Sequence, residues 1–286
     1  MPVQINNETF HDCCPLCTSH NIFPKGKLSY FGKISFSTNA IELCHLPELW
    51  KCEQCQSCFV QRIVDEATAK ILYSTGQAGE RWSAVAFAHN KPRDMIDTMT
   101  SIFNSKDRVL DVGCNTGELL DFAKALGCKT AGLELSSASR EILVDKGHSA
   151  YSTFEEAQDA YDVITAFDLV EHLYDVPTWL NLCHEKLAEN GKLVILTGNI
   201  GSLSAMLSNE RWWYAQYPEH IVFPSKQYFQ TYSGFQVEQW LPSYASKGYK
   251  HSMPQLVKGA VSGFLRRKYT GLPSFGPDHT LVVLTQ

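Results

Sequence analysis

Arg108-Val-Leu-Asp-Val-Gly-Cys-Asn-Thr-Gly117 is the stretch that decides the fold. Its first five residues, with Val109, Leu110 and Val112, read as a buried strand. Gly113 and Gly117 bracket a turn, and GELLDFAKALG (117–127) continues as a helix closed by Gly127. KTAGLEL (129–135) supplies a second strand, so the segment is a βαβ unit. Working outward, SSASREILVDKG (136–147) opens on Ser caps and predicts a helix, HSAYST (148–153) a third strand and YDVITAFDLV (161–170) a fourth. A helix over 176–189 then leads through Asn190-Gly191 to a fifth strand, KLVILTGN (192–199), and a short helix is expected near 225–232. FQVEQWL (235–241) and HTLVVLTQ (279–286) complete seven strands of an α/β chain without internal repeats.

The turn has a chemical purpose. At the carboxyl end of a parallel strand, glycine lets backbone approach a ligand and the helix start offers unpaired amides. Asp111 stands just before Gly113, where it can hold an ammonium group, and Glu134 closes the next strand, where a carboxylate can bind both hydroxyls of a ribose. Glycines alone leave dinucleotides, other nucleotides and S-adenosylmethionine open. The incomplete GxGxxG pattern and the position of Asp111 favour the sulfonium cofactor.

The rest of the chain sets the context. With 286 residues, 44% hydrophobic and 19% charged, the chain can bury a large core, and its formal net charge of −5 gives no general attraction for nucleic acid. The N-terminus lacks the basic start and apolar run of a signal peptide, so a cytoplasmic location is expected. Seven of the ten cysteines lie within residues 13–58. Cys14/Cys17 and Cys52/Cys55 form two CxxC pairs, which suit a structural zinc with a closed tetrahedral shell. Cys13, Cys44 (followed by His45) and Cys58 compete for places in that set.

In order, RVLDVGCNTGELL, GLEL, YDVITAFDLVEHL and GKLVILT resemble the class I S-adenosylmethionine-dependent methyltransferases over roughly residues 106–243 and 278–286. The departure is Asn115, where such families carry a glycine; Asn tolerates positive φ, so the turn is expected to survive. The resemblance implies a Rossmann-like seven-stranded domain. It also implies that Asp111, Gly113 and Gly117 border the methionine moiety, that Glu134 holds the ribose, and that Asp168 lies near the cofactor, with Phe154 the candidate wall for the adenine.

Methyl transfer requires alignment of the acceptor and removal of its proton. His172, in Asp168-Leu-Val-Glu-His172, and His220, in Tyr217-Pro-Glu-His220, follow strands four and five on the ligand side, and His220 is the first choice for the base. The cysteine-rich start, the core and the Tyr-x-Glu-His motif together resemble sugar-nucleotide C-methyltransferases of deoxysugar pathways. In that family Tyr217, Glu219, His220 and His172 would belong to the active site, and those enzymes carry a further C-terminal domain to which the resemblance does not extend. Glu171 reads as a loop brace, while Trp212, Trp213 and Tyr214 could wall a pocket or plug the core.

The expected organisation is a small zinc-ribbon-like module over 1–65, a helical connector or lid over 66–105 that includes Arg81 and Trp82, and the methyltransferase domain over 106–286. Residues 239–277 carry no acid and six lysines and arginines, so a basic amphipathic helix is expected within 244–277, with 256–268 able to meet a phosphate-bearing acceptor or an anionic membrane surface. The expected acceptor is a small molecule or carbohydrate-linked metabolite. Alternatives are an RNA or protein methyltransferase that holds its macromolecule with the zinc module, and a non-catalytic interaction protein.

Overall fold

The computed structural model describes residues 3–4, 8–30, 32–36, 39–75, 85–247, 274 and 276–286. Seven strands form the central sheet: β1 (Arg108–Val112), β2 (Lys129–Leu133), β3 (Ser149–Tyr151), β4 (Tyr161–Phe167), β5 (Leu187–Gly198), β6 (Gln236–Ser243) and β7 (His279–Thr285). Their spatial order is β3-β2-β1-β4-β5-β7-β6, with β7 antiparallel to both neighbours and the strands from β3 to β5 parallel. The expected α/β fold is therefore present.

Alternate residues of the strands feed two cores, as the period of a strand requires. Ile164, Leu193, Ile195, Val282 and Leu284 enter one apolar layer. Val163, Val194, Leu196, Leu281 and Val283 enter the other, with Met95, Met99 and Ile102 of the helix Arg93–Ile102. Burial on both faces explains why these strands read as nearly continuous apolar runs. Caps set the helix starts: Ser136 Oγ accepts from Ser139 N–H at 3.3 Å, and Asp175 Oδ1 from Thr178 N–H at 3.0 Å.

One boundary differs from the sequence reading. The helix after β4 stops at Lys186, and β5 begins at Leu187 rather than beyond Gly191. Asn190 takes φ 62° and the register against β4 shifts between Tyr161 and Val163, so the Asn-Gly pair is absorbed as an irregularity inside a strand.

The cysteine-rich region is stitched into the larger unit. Its sheet runs Ile22–Lys27, Glu48–Cys52, Cys58–Val60 and then Val222–Phe223, a strand contributed from beyond β5. Leu49, Phe59 and Val60 share one apolar layer with Ile164 and Ile195. The connector contributes the helix Glu66–Thr75, the short turn Phe87–Asn90 and the helix Arg93–Ile102, which Pro92 precedes. Arg81, Trp82 and the basic stretch 248–273, with its 256–268 segment, lie outside the described residues. Among the described residues no helix is long and apolar enough to cross a membrane.

Candidate active site and thiol cluster

Two turns of similar build bring the first set of side chains together. Thr18 and Gln56, each directly after the second cysteine of a CxxC pair, take φ 58° and 61°. Thr18 N–H donates to Cys14 O, and Cys52 N–H donates to Ser57 O, each at 2.9 Å. Glu53 N–H reaches Asn21 O at 2.9 Å and ties the two turns to each other. As a result the sulfurs of Cys14, Cys17, Cys52 and Cys55 all lie within 4.8 Å of one another, with Cys14–Cys55 at 3.7 Å and Cys17–Cys52 at 3.6 Å. Cys58 sits in a strand, Cys44 is exposed and Cys13 is half-buried, so geometry selects the two CxxC pairs among the candidates. Burial pushes the Cys17 thiol up to about 12, and four adjacent sulfurs can ionise together only beside a compensating cation.

The glycine turn lies at the carboxyl end of β1. Gly113 and Gly117 take φ 72° and 85°, and Asn115 φ 49°, so the Asn occupies the left-handed conformation that its side chain tolerates. Cβ atoms would meet Leu169 at 2.9 Å from position 113 and Leu143 at 2.5 Å from position 117. Asn115 N–H donates to Glu134 Oε2 at 3.0 Å, and Ser136 N–H to Oε1 at 2.9 Å, which fixes the carboxylate at the end of β2. Asp111 is buried and accepts from Thr165 Oγ1 at 2.6 Å. Burial pushes its carboxyl up to about 7, outweighing the Thr165 hydrogen bond and the more distant charge of Lys91, which both lower it. Phe154 is buried in the apolar layer shared with Leu133 and Tyr161.

At the ends of β4 and β5 a polar cluster gathers around Tyr214. His172 Nδ1 lies 2.9 Å from Glu219 O, and His220 Nδ1 is 2.6 Å from Tyr214 O. A carbonyl only accepts, so both imidazoles carry hydrogen on Nδ1, which in a neutral ring leaves the lone pair on Nε2. The rings stand 4.7 Å apart, nearly perpendicular. Burial holds His220 well below the ordinary histidine range, with His172 beside it adding to the effect, so its neutral form prevails at neutral pH. Glu171 is fully buried and accepts from Tyr214 Oη and from Thr197 Oγ1, the latter at 2.9 Å; burial raises its carboxyl. A carboxylate oxygen and two ring nitrogens from Glu171, His172 and His220 thus come within 4.8 Å of one another.

The small module positions this cluster. Val60 N–H donates to Ile221 O and Ile221 N–H to Glu171 O, both at 2.8 Å, so His220 is pinned between the module's edge strand and the loop after β4. Tyr73, from the connector, approaches His172 Nδ1 at 3.2 Å. Gly198 allows the aromatic run to close on the sheet, since a Cβ there would lie 2.3 Å from the Tyr214 ring. Asp168, at φ 52°, lies 3.5 Å from Lys91 Nζ and 3.5 Å from Tyr214 Oη.

Tyr217 stands apart from the histidines. Its ring is buried against Tyr30, 6.5 Å between centroids, and its hydroxyl faces Glu8, Arg62 and Val64 of the module, because packing of the apolar ring decides its direction. Glu219 meets His172 through its backbone carbonyl. The aromatic run divides: Trp212 is fully buried in the core, while Trp213 and Tyr214 reach the polar cluster. Sequence reasoning missed Lys91, Tyr73, Thr197, Asp278 and His279. Only the last pair left a local trace, an Asp-His step opening a strand.

A sequence profile described as a methyltransferase domain matches residues 86–239, more than half of the chain. The ubiquinone biosynthesis O-methyltransferase of Bradyrhizobium diazoefficiens is 35% identical over 101 residues, 32% of this chain and 40% of that protein. Its counterpart from Rhodopseudomonas palustris is 31% identical over the same length and shares. The chain therefore spans about 40% of the length of these relatives. Among solved structures, an S-adenosylmethionine-dependent methyltransferase from Archaeoglobus fulgidus aligns with a TM-score of 0.49 and 20% identity, over 68% of this chain and 92% of that one. A TehB-like methyltransferase from Corynebacterium glutamicum gives 0.45 and 14%, over 72% and 95%. By the match over residues 86–239, the chain belongs to the methyltransferase-domain family.

Proposed function

We propose that the chain transfers a methyl group from S-adenosylmethionine to a small-molecule or carbohydrate-linked acceptor. The observation that carries this reading is the common edge of the sheet. A glycine turn at positive φ, a fixed Glu134 and a buried Asp111 end there, at the same edge as two imidazoles whose Nδ1 atoms are engaged by backbone carbonyls. In this reading Asp111 takes the ammonium of the cofactor, Gly113 and Gly117 admit its methionine portion, Glu134 holds its ribose, and Asp168 lines the approach to its sulfonium. The cofactor supplies the electrophilic methyl group. His220 takes the proton of the acceptor, and His172 limits the space around it. Its bare nitrogen supports the role, and its neutral state leaves room for the proton. The relatives' names favour a hydroxyl as the methylated group. The resemblance to sugar-nucleotide enzymes favours a sugar as its carrier, and of the residues that carry it His172 and His220 are the two that meet in the cluster.

The thiol cluster in this reading binds one structural zinc, because four cysteines complete a tetrahedral shell and leave no open position. Release of S-adenosylhomocysteine, measured against sugar nucleotides, lipid-linked sugars, prenylated phenols and transfer RNA, tests the activity and its acceptor class. Turnover with a sugar or phenol supports the proposal, whereas turnover with RNA alone overturns the acceptor class. Calorimetry with S-adenosylmethionine tests the cofactor separately: Glu134→Ala should weaken binding about 10- to 100-fold, as expected for loss of a charged hydrogen-bond acceptor.

A further inference from the structure

His279 opens β7 and pairs with Gly198 of β5, which puts it at the same sheet edge as Asp168. Its side chain is fully buried. Nδ1 lies 3.0 Å from Asp278 Oδ1, and the other oxygen of Asp278 accepts from the Trp213 indole N–H. A carboxylate engaged in this way fixes hydrogen on Nδ1, so Nε2 is the ring atom that gains or loses the second proton. That Nε2 is buried, has no hydrogen-bond partner among the described residues, and stands 3.9 Å from Asp168 Oδ1. The Tyr214 ring packs edge-on at 4.6 Å and the Trp213 ring at 5.8 Å. Groups facing this imidazole or its contact with Asp168 are thus Asp278, Asp168, Tyr214, Trp213, His220 across the Tyr214 ring, and Lys91 on the far side of Asp168.

A buried polar nitrogen without a partner is costly, about 1–3 kcal/mol, and needs a reason to be kept. We infer that the Asp278–His279 pair is a second proton-accepting centre of the site, acting through Asp168. The inference rests on the methyl-transfer reading above. In the transfer, the acceptor's electron pair forms the new bond to the methyl carbon, and sulfur keeps the pair of the broken sulfur–carbon bond. Only one proton is displaced per turnover: the route to His220 takes it directly from the acceptor, and the second route carries it by way of Asp168 to His279 Nε2, where Asp278 balances the charge, before it leaves to solvent after product release. His220 and His279 both pack against the Tyr214 ring, at 4.4 and 4.6 Å between centroids, so the two routes start from one cluster. His279 touches no acceptor itself and is a positioning residue.

Imidazole-nitrogen NMR of the full chain with S-adenosylhomocysteine tests the pair without turnover. Expected are a bare Nε2 and a protonated Nδ1 for His279, a displaced Nε2 signal in Asp168→Asn, and a mixture of tautomers in Asp278→Asn. Hydrogen resident on Nε2 with Nδ1 bare, or a signal that Asp168→Asn leaves in place, overturns the inference. In turnover with the acceptor found by the screen above, His279→Gln should lower kcat by about tenfold or more, while KM and cofactor affinity stay within about twofold. The His220→Ala/His279→Gln double variant should fall below either single one. Should His279→Gln unfold, His279→Asn takes its place. Wild-type kcat in a folded variant overturns the inference. Failure of the wild type to bind S-adenosylmethionine in calorimetry sinks the methyl-transfer reading instead, and the nitrogen spectra still judge the pair.

Discussion

The thiol cluster and the polar cluster around Tyr214 are built by opposite means. The four sulfurs come from two short turns, each with its own backbone hydrogen bonds and one residue at positive φ, and a single sheet holds the turns together. The polar cluster draws Tyr73 from the connector, Asp168, Glu171 and His172 from the loop after β4, Thr197 from β5, and Tyr214 and His220 from the segment beyond it. A locally closed set announces itself by spacing, whereas a set gathered from distant segments exists only once the layers have packed. The two are nevertheless joined, because the strand Val222–Phe223 that completes the module's sheet begins two residues after His220.

That contrast can be broken first at the sulfurs, where the largest effect is expected. Structural zinc contributes on the order of 10 kcal/mol, comparable to the whole stability of a domain. Cys14→Ser should therefore abolish metal in elemental analysis, unfold the module and, through Val222–Phe223, disturb His220. A chelator-treated wild type with unchanged metal-free melting temperature would separate the two regions.

Next is Gly198→Ala, which tests whether the polar cluster depends on close packing rather than on local turns. An added Cβ would lie 2.3 Å from the Tyr214 ring, and overpacking of this kind costs about 1–3 kcal/mol. Thermal unfolding should show that loss, and turnover should fall further than stability does, since Tyr214 holds both Glu171 and the backbone contact to His220. Equal activity in the folded variant would mean that the aromatic run is only a plug.

A smaller effect should appear with pH. The Asp111 carboxyl, raised to about 7 by burial, is largely protonated below that value and ionised above it. An ammonium ligand needs the carboxylate, so S-adenosylmethionine affinity should weaken as pH falls below about 7, approaching tenfold per unit. Asp111→Asn should bind more weakly at pH 8 and show a flattened profile. Calorimetry across pH 5.5–8.5, about one and a half units on either side of 7, reads both. A wild-type affinity independent of pH would remove Asp111 from the ammonium.

The smallest effect is expected at Asn115→Gly. Asn already occupies φ 49°, and Glu134 takes its hydrogen bond from the backbone, so glycine should leave cofactor affinity within about threefold and stability within about 1 kcal/mol. Asn115→Val should do worse in both measurements, because a branched Cβ disfavours positive φ.

The amino-acid sequence by itself determined the strands and helices of the core, the glycine turn with its tolerant Asn115, and the two CxxC pairs. All of these rest on interactions between residues close in the chain: alternation along a strand, caps, φ preference and turn geometry. It did not determine the start of β5, where pairing of Leu187 with Tyr161 of β4 extended the strand back across Asn190. Nor did it decide that Tyr217 turns to the module while Tyr214 turns to the histidines, although both belong to one short aromatic segment. Lys91, Tyr73 and His279 carry no spacing that points to Asp168 or His172. Only the tertiary structure chose them, because a side chain's direction is settled by the layer it packs into, and a buried polar atom takes whatever partner that packing brings within reach.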